Sequence, residues 1–302
     1  IGSEAFSGCS KLAYAKLPEN EKFSEIKDST FSNCVALTGI DIPSSITVIG
    51  SYAFYECSGL KEIILPEGIE AVEQAAFRYC ASLENVQLSK NIKQLYGDAF
   101  GECISLTEIF IPKSLQNAYT VDHFHSTGWF SGYDTQHGPF SACDNLNKII
   151  FEDNTTFIPS ALFCACSGLT SIKIPDTVTK IDSNAFQDCS NLKEIIFNEQ
   201  INTIGYGAFW GCTSLKSLTL PNSLEYLWEY AFEGCNGLEE VYIPKGLETR
   251  QSSYGTEYSG GAPFANCSLL NAILFEEGIT RIPEDLFNSC NGTLVQNNVQ
   301  LF

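Results

Sequence analysis

The chain has 302 residues, with 36 acidic and 17 basic side chains and a formal net charge of −19. Such a charge repels phosphate backbones and anionic lipids, so it argues against nucleic acid and membrane surfaces as partners and favours a basic partner. No apolar run is long enough to span a bilayer, and the chain contains no methionine. We therefore expect a processed or excised fragment of a protein that continues at one or both ends.

The phrase Phe-x-x-Cys occurs twelve times, and eight of the eleven intervals between its cysteines are 23 residues. A fixed period in this range predicts a solenoid of stacked coils rather than two ordinary domains. We expect one solenoid over residues 1–302, with about twelve coils. The cysteines of the phrase are Cys9, Cys34, Cys57, Cys80, Cys103, Cys143, Cys166, Cys189, Cys212, Cys235, Cys267 and Cys290.

Each coil is predicted to contain the same elements in the same order. Ile172 and Ile174 alternate with polar residues and predict a short strand, which Pro175 ends. Val178 and Ile181 then predict a second extended segment. The Ala-Phe phrase that follows predicts a tight turn or a single helical turn. Longer helices need about ten residues or more, so none is expected.

The cysteines predict a ladder of buried thiols, because a residue in fixed phase with Phe is most simply a small apolar core residue. Cys164 is the extra cysteine, and its Cys-x-Cys phrase with Cys166 is not a recognised metal spacing. Neighbouring coils lie ~4.8 Å apart, so distance alone does not exclude disulfides. The parallel arrangement of the side chains argues against them.

The unit Ile-x-x-Ile-x-x-x-Ala-Phe-x-x-Cys-x-x-Leu-x-x-Ile-x-Ile-Pro resembles the BspA-like, or Treponema pallidum-type, leucine-rich repeat over essentially the whole chain. The resemblance implies an α/β-type leucine-rich-repeat solenoid, β-rich and right-handed, with a parallel concave sheet. It also implies a secreted or surface protein of bacteria that binds host or extracellular proteins, including glycoproteins. A resemblance of this kind supports the fold more firmly than the function.

The strand residues between the two buried positions are predicted to point outward, and six of these ten are apolar. An apolar row on the expected concave sheet predicts a binding surface. The alternatives are that insertions or neighbouring chains cover the row, or that β-propensity alone explains it. The six candidates are Ile64, Phe110, Ile150, Ile196, Tyr242 and Leu274.

Two insertions interrupt the period, at about residues 113–138 and 245–262, each between a strand-ending proline and the next Phe-x-x-Cys. Insertions at one phase of a solenoid emerge at one edge. Tyr, Trp and Arg among Gly and Ser are typical of recognition loops, and packing of these side chains onto the solenoid is the alternative. The candidate binding residues are Tyr119, His123, Phe124, His125, Trp129, Phe130, Tyr133, Arg250, Tyr254 and Tyr258.

All three histidines, His123, His125 and His137, lie in the first insertion. On a strand, His123 and His125 would point to one side, which makes a zinc site with His137 a weak candidate; ordinary surface histidines are the alternative. The chain lacks a phosphate-binding loop, a dinucleotide fingerprint and the Gly-x-Ser-x-Gly and His-Glu-x-x-His phrases. We therefore expect no cofactor and no catalytic residue.

The leading hypothesis is a surface or secreted protein-binding module that adheres to host or extracellular proteins. One alternative is a structural spacer of about 55 Å within a larger cell-surface protein. A second alternative is a metal-dependent enzyme that uses the histidine loop. The sequence leaves the ligand and the oligomeric state open.

Overall fold

A computed structural model shows short strands joined by turns, in two compact units. Unit 1 is residues 1–153 with 159–168, and unit 2 is residues 154–158 with 169–302. Each unit is a stack of coils, and a single continuous solenoid over the whole chain stays a prediction. The described residues contain no helix, and hence no membrane-spanning helix. The structure describes residues 1–115, 117–118, 137–250, 261–283, 285–288, 290 and 295–296.

The strands are two to four residues long, because each soon meets a proline or a turn. Most coils contain a first strand and a second strand. The first strands are the odd-numbered strands and β22, and the second strands are the remaining even-numbered strands. In chain order they are β1 (Tyr14–Lys16), β2 (Glu25–Ile26), β3 (Gly39–Asp41), β4 (Val48–Ile49), β5 (Glu62–Ile64), β6 (Ala71–Val72), β7 (Asn85–Gln87), β8 (Gln94–Leu95), β9 (Glu108–Ile111), β10 (Asn117–Ala118), β11 (Lys148–Phe151), β12 (Phe157–Ile158), β13 (Ser171–Lys173), β14 (Lys180–Ile181), β15 (Glu194–Ile196), β16 (Thr203–Ile204), β17 (Ser217–Thr219), β18 (Tyr226–Trp228), β19 (Glu240–Ile243), β20 (Glu248–Arg250), β21 (Ala272–Phe275) and β22 (Val295–Gln296).

The strands of unit 1 pair in parallel, as coils stacked in one direction require. Among first strands, β1 pairs with β3, β5 with β7, and β9 with β11. The second strands form a five-stranded sheet in the order β10-β8-β6-β4-β2. Ile63 lies opposite Val86, and Ile109 lies opposite Ile149, so residues of the same phase stack on one another.

Unit 2 repeats this arrangement with its own strands. Among first strands, β13 pairs with β15, and β17, β19, β21 and β22 form a four-stranded sheet. The second strands β12, β14, β16, β18 and β20 form a five-stranded sheet. The described residues make about nine full turns of ~23 residues, so the expected number of twelve is slightly too high. The parallel leucine-rich-repeat solenoid is confirmed, but its coils consist of strand and turn without the helix that an α/β-type repeat carries.

The core of each unit contains a stack of phenylalanine rings, one from each Phe-x-x-Cys phrase. Neighbouring ring centroids lie 4.9–5.8 Å apart in unit 1 and 5.2–5.3 Å apart in unit 2, with interplanar angles of 22° or less. Burying each ring contributes about 1.5–3 kcal/mol. The rings belong to Phe6, Phe31, Phe54, Phe77, Phe100, Phe140 and Phe163 in unit 1, and to Phe186, Phe209, Phe232, Phe264 and Phe287 in unit 2.

In most coils the turn around the phenylalanine contains two residues with a positive φ. In the coil of Phe54, the residues two before and two after it, Tyr52 and Glu56, have φ of 57° and 56°. The Phe54 amide donates to the carbonyl of Ala76 in the next coil at 2.7 Å, whereas the Cys57 amide donates to the Phe54 carbonyl at 3.1 Å. Along the turn, backbone amides therefore alternate between hydrogen bonds to the next coil and hydrogen bonds within their own turn. Of the two predicted alternatives, the tight turn is the one that forms.

The thiols form the predicted ladder, and no disulfide joins the thirteen cysteines. In ten coils the cysteine Sγ lies 2.9–3.4 Å from the carbonyl oxygen of the phenylalanine one coil earlier, to which the thiol donates. Burial raises the pKa of Cys57, Cys143 and Cys235 to about 12. Because the thiolate is the reactive form, these cysteines are structural rather than reactive.

In the folded chain, we expect Cys9 alone to react rapidly with a thiol reagent at mildly alkaline pH, because Cys9 is exposed while the other repeat thiols are buried or partly buried. Denaturant should release all thirteen. A colorimetric thiol titration with and without guanidinium measures both stages, and Cys9→Ser should remove the rapid phase. Rapid reaction of several thiols in the folded chain would contradict the buried ladder.

Candidate binding surfaces

The first strands of unit 1 present three of the predicted apolar residues to solvent. Ile64, Phe110 and Ile150 are 58%, 42% and 36% exposed. They occupy the third position of β5, β9 and β11, which the alternation of strand side chains turns away from the core. Phe110 and Ile150 lie directly opposite each other, whereas Ile64 lies opposite the polar Gln87. The contiguous apolar surface is therefore the strand-face pair of Phe110 and Ile150.

Charged residues frame the strand-face pair on the same two strands. Glu108 and Lys148 lie opposite each other in β9 and β11, with Lys148 Nζ 2.7 Å from the Glu108 carboxylate. Both side chains are exposed, so the ion pair contributes little to stability. An apolar centre with a polar rim is the arrangement found at protein interfaces.

Unit 2 carries a second apolar pair at the same strand position. Tyr242 and Leu274 lie opposite each other in β19 and β21, and both are half-buried. Ile196 is exposed, but it lies opposite Lys173, and Tyr242 is flanked on its other side by Thr219. The six predicted residues thus fall into one apolar pair in each unit, with Ile64 and Ile196 apart from them.

The start of each insertion is held by a lysine and a glutamate. The Lys113 amide and Nζ lie 3.0 and 3.1 Å from the Glu152 carboxylate, and those of Lys245 both lie 3.0 Å from Glu276. These bonds, chiefly the backbone one, lower the pKa of both glutamates. We call each arrangement a Lys–Glu clamp. Neither clamp was predicted from the sequence, although a glutamate follows Phe151 and Phe275 at the phase where most first strands are followed by proline.

Each clamp lies beside an apolar pair. Phe110 and Ile150 precede Lys113 and Glu152 by three and two residues, and Tyr242 and Leu274 precede Lys245 and Glu276 by the same intervals. Each insertion therefore begins at the edge of an exposed or half-exposed apolar pair.

The end of each insertion leads through a proline into the next phenylalanine turn. The Phe100 amide donates to the Pro139 carbonyl, and the Phe232 amide donates to the Pro263 carbonyl, both at 2.8 Å. In these two turns the residue before proline does not have the positive φ seen in other coils, since proline restricts its predecessor to extended conformations.

Nearly all the candidate residues of the insertions lie outside the described residues, and their role in binding stays a prediction. Arg250 is described for its backbone, which ends β20 opposite Trp228. The candidates outside the description are Tyr119, His123, Phe124, His125, Trp129, Phe130, Tyr133, Tyr254 and Tyr258.

His137 is the one predicted metal ligand within the described range. Its Nδ1 lies 3.3 Å from Oδ1 of Asp98, a buried carboxylate. Burial raises the pKa of Asp98, while His137 and Arg78 oppose that rise. Within the described part of the chain, no three His, Cys, Asp or Glu side chains are placed to hold a metal ion. His123 and His125 lie outside it, so the zinc site stays a weak prediction.

A solved structure shares this architecture. A leucine-rich repeat protein from Bacteroides ovatus is 24% identical, with 98% of this chain and 87% of that chain covered and a TM-score of 0.52, which supports the fold. A leucine-rich repeat protein of T. pallidum is 26% identical over 67% of this chain and 78% of its own, with a TM-score of 0.44. Comparison with curated proteins finds no match.

The family comparison covers most of the chain. The family described as BspA type leucine rich repeat region (6 copies) matches residues 1–126, 135–256 and 249–299. The matched ranges include the Phe-x-x-Cys turns and the first strands of both units. The leucine-rich-repeat fold is typical of binding proteins rather than enzymes. This chain belongs to the BspA-type leucine-rich repeat family.

Proposed function

We propose that the chain is the protein-binding module of a bacterial surface or secreted protein, and that it adheres to a host or extracellular protein or glycoprotein. The observation that carries the proposal is the exposed strand-face pair, Phe110 and Ile150, beside a clamped insertion. Contiguous exposed apolar area on a soluble protein is typical of interaction sites. Folding does not require these two side chains to be apolar, because both point away from the core.

The recurrence of the arrangement in unit 2 supports the proposal. There, Tyr242 and Leu274 lie beside the clamp of Lys245 and Glu276. Each clamp joins the first lysine of an insertion to a glutamate that follows an apolar pair, so an aromatic loop and an apolar strand surface are neighbours in the chain. Aromatic side chains and a central apolar patch are the features that dominate binding energy at interfaces.

We expect the double substitution Phe110→Ser/Ile150→Ser to weaken binding to a captured partner by more than about tenfold. The wild-type chain is first applied to an array of extracellular-matrix, serum and mucin proteins, and affinity for any hit is measured by biolayer interferometry. The matched control is Val35→Ser/Ile104→Ser, since both residues are exposed apolar side chains of unit 1 outside the strands. Equal weakening by the two double variants would contradict a specific role for the strand-face pair.

Deletion of residues 119–135 tests the first insertion separately, because it keeps β10 and restores the 23-residue interval between Cys103 and Cys143. Binding lost on deletion, with thermal stability retained, would establish the insertion as a contact. Binding that survives deletion and is lost in the Phe110/Ile150 variant would restrict the site to the strand face. Absence of any hit would overturn the proposal in favour of the spacer.

A further inference from the structure

The turn face of unit 1 carries three tyrosines and an arginine from neighbouring coils, which we call the turn patch. Tyr52 and Tyr55 pack edge to face with ring centroids 5.6 Å apart, and Tyr55 and Tyr79 do so at 5.5 Å. The Arg78 guanidinium carbon lies 4.9 Å from the Tyr79 ring centroid. Tyr52 is 38% exposed, and the other three are partly exposed, so none of them belongs to the core.

Two of these tyrosines occupy strained backbone positions. Tyr52 and Tyr79 have φ of 57° and 63°, a conformation that costs a bulky residue about 1 kcal/mol or more. Ser29 and Asn33 take the equivalent positions one and two coils earlier, with similar φ of 54° and 60°, and asparagine adopts this conformation more readily than tyrosine. The turn therefore does not require tyrosine, and the rings add no core burial that offsets the strain. Because the positive φ belongs to the turn of most coils, what distinguishes these two positions is the exposed ring, which the fold does not require.

The charge of the patch is negative, because its one cation is already paired. Arg78 donates to Asp98 at 2.9 Å and to Glu102 at 2.8 Å. A hydrogen bond to Glu102 raises the pKa of the Tyr79 phenol, since it favours the protonated form. Glu56 adds a third carboxylate, beside the Tyr55 phenol. Asp98 is buried and already contacts Arg78 and His137, so the acceptors within reach of a ligand are those of Glu56 and Glu102, against one guanidinium.

The geometry restricts the kind of ligand. Rings in direct edge-to-face contact leave no room for a cation between them, so the patch is not an aromatic cage, and a ligand meets its outer surface. The carboxylates repel phosphate and sulfated sugars. A neutral sugar would stack on a ring without using the surplus negative charge. A protein segment with lysine or arginine next to an apolar side chain uses both the rings and the carboxylates.

We propose that the turn patch is a second interaction surface, which binds a segment of another protein that carries arginine or lysine beside apolar residues. The surface lies at the turns, on residues other than the strand-face pair, so the inference goes beyond the proposed function and does not depend on it. In this proposal, part of the net charge of −19 attracts the basic side chains of the partner to the turn patch.

The test uses the full 302-residue chain and a fluorescein-labelled synthetic peptide that alternates arginine with leucine, at physiological ionic strength. Fluorescence anisotropy should show that Tyr52→Asn/Tyr79→Asn weakens binding by about tenfold or more. The substitutions leave the net charge unchanged, and asparagine adopts the positive φ readily, so folding should be retained. The matched control is Tyr14→Asn, an exposed tyrosine on β1, which should bind as the wild type does.

Unchanged affinity of the Tyr52/Tyr79 variant would overturn the proposal, because attraction by net charge alone would then explain the binding. Equal loss in the Tyr14 variant would overturn it as well. Binding of neutral glycans instead of the peptide, lost in the double variant, would assign the patch to a sugar and contradict the proposal. If circular dichroism shows that the double variant does not fold, the single variant Tyr52→Ser replaces it in the test. Serine is the residue type that Ser29 provides at the equivalent position one coil earlier. We expect this variant to bind the peptide about threefold more weakly than the wild type.

Discussion

Replacement of Phe77 by alanine should lower the free energy of unfolding by about 4 kcal/mol. The Phe77 ring is fully buried between those of Phe54 and Phe100, at centroid distances of 4.9 and 5.1 Å. Alanine removes this burial and leaves a cavity, which the neighbouring rings fill only in part because each is held by its own coil. Since coils of a solenoid stabilise their neighbours, the adjacent coils weaken too. Urea unfolding followed by far-UV circular dichroism measures the loss.

Phe6 provides the matched control, because it belongs to the same stack but is 37% exposed. Its ring stacks on Phe31 at 5.2 Å. We expect Phe6→Ala to cost about 1 kcal/mol, since its side chain gives up less buried area. Equal losses at Phe6 and Phe77 would show that the buried ring stack is not what holds the coils together.

Replacement of Gly138 by alanine should lower the free energy of unfolding of the chain by about 3 kcal/mol. A Cβ at this position would lie 1.7 Å from the carbonyl oxygen of Ala161, a backbone atom that cannot rotate aside. The turn cannot retreat easily either, because the Gly138 carbonyl accepts hydrogen bonds from the Asp98 amide at 3.0 Å and the Ser141 amide at 3.1 Å. Thermal and urea unfolding of the variant measure the cost.

The control for this substitution is Gly39→Ala in β3. There the nearest atom to a new Cβ is Tyr14 Cδ2 at 3.7 Å, an ordinary contact. We expect a change within about 0.5 kcal/mol. A Gly138 variant as stable as the Gly39 variant would mean that the end of the first insertion is not packed against the coil of Ala161.

Most of the fold was predictable because one period sets several features together. The Phe-x-x-Cys phrase places a ring and a thiol at one phase of every coil, and the alternation at Ile172 and Ile174 marks the strand. The turn conformation was not predictable, because its positive-φ positions hold residues as different as Tyr52, Glu56 and Ala75. Intrinsic backbone propensity is a weak guide to the turn conformation, because alternate amides of the turn bind the next coil.

The candidate site was predictable only in part. Alternation along β9 and β11 correctly placed Phe110 and Ile150 outward, but it gave no information on which apolar residues would touch. That depended on register, which put Gln87 rather than an apolar residue opposite Ile64. Glu152 stands where most first strands are followed by proline, so the sequence marked its position but not its partner Lys113.

The sequence by itself determined the family, the core and the location of the insertions, because buried residues must recur at each coil and any departure from the period is visible. Only the tertiary structure decided which surface residues become neighbours. Lys113 and Glu152 are 39 residues apart and meet because successive coils stack, and Tyr55 meets Tyr79 for the same reason. Such contacts depend on the register between coils, and exposed side chains carry no requirement for burial that would reveal their partners in advance.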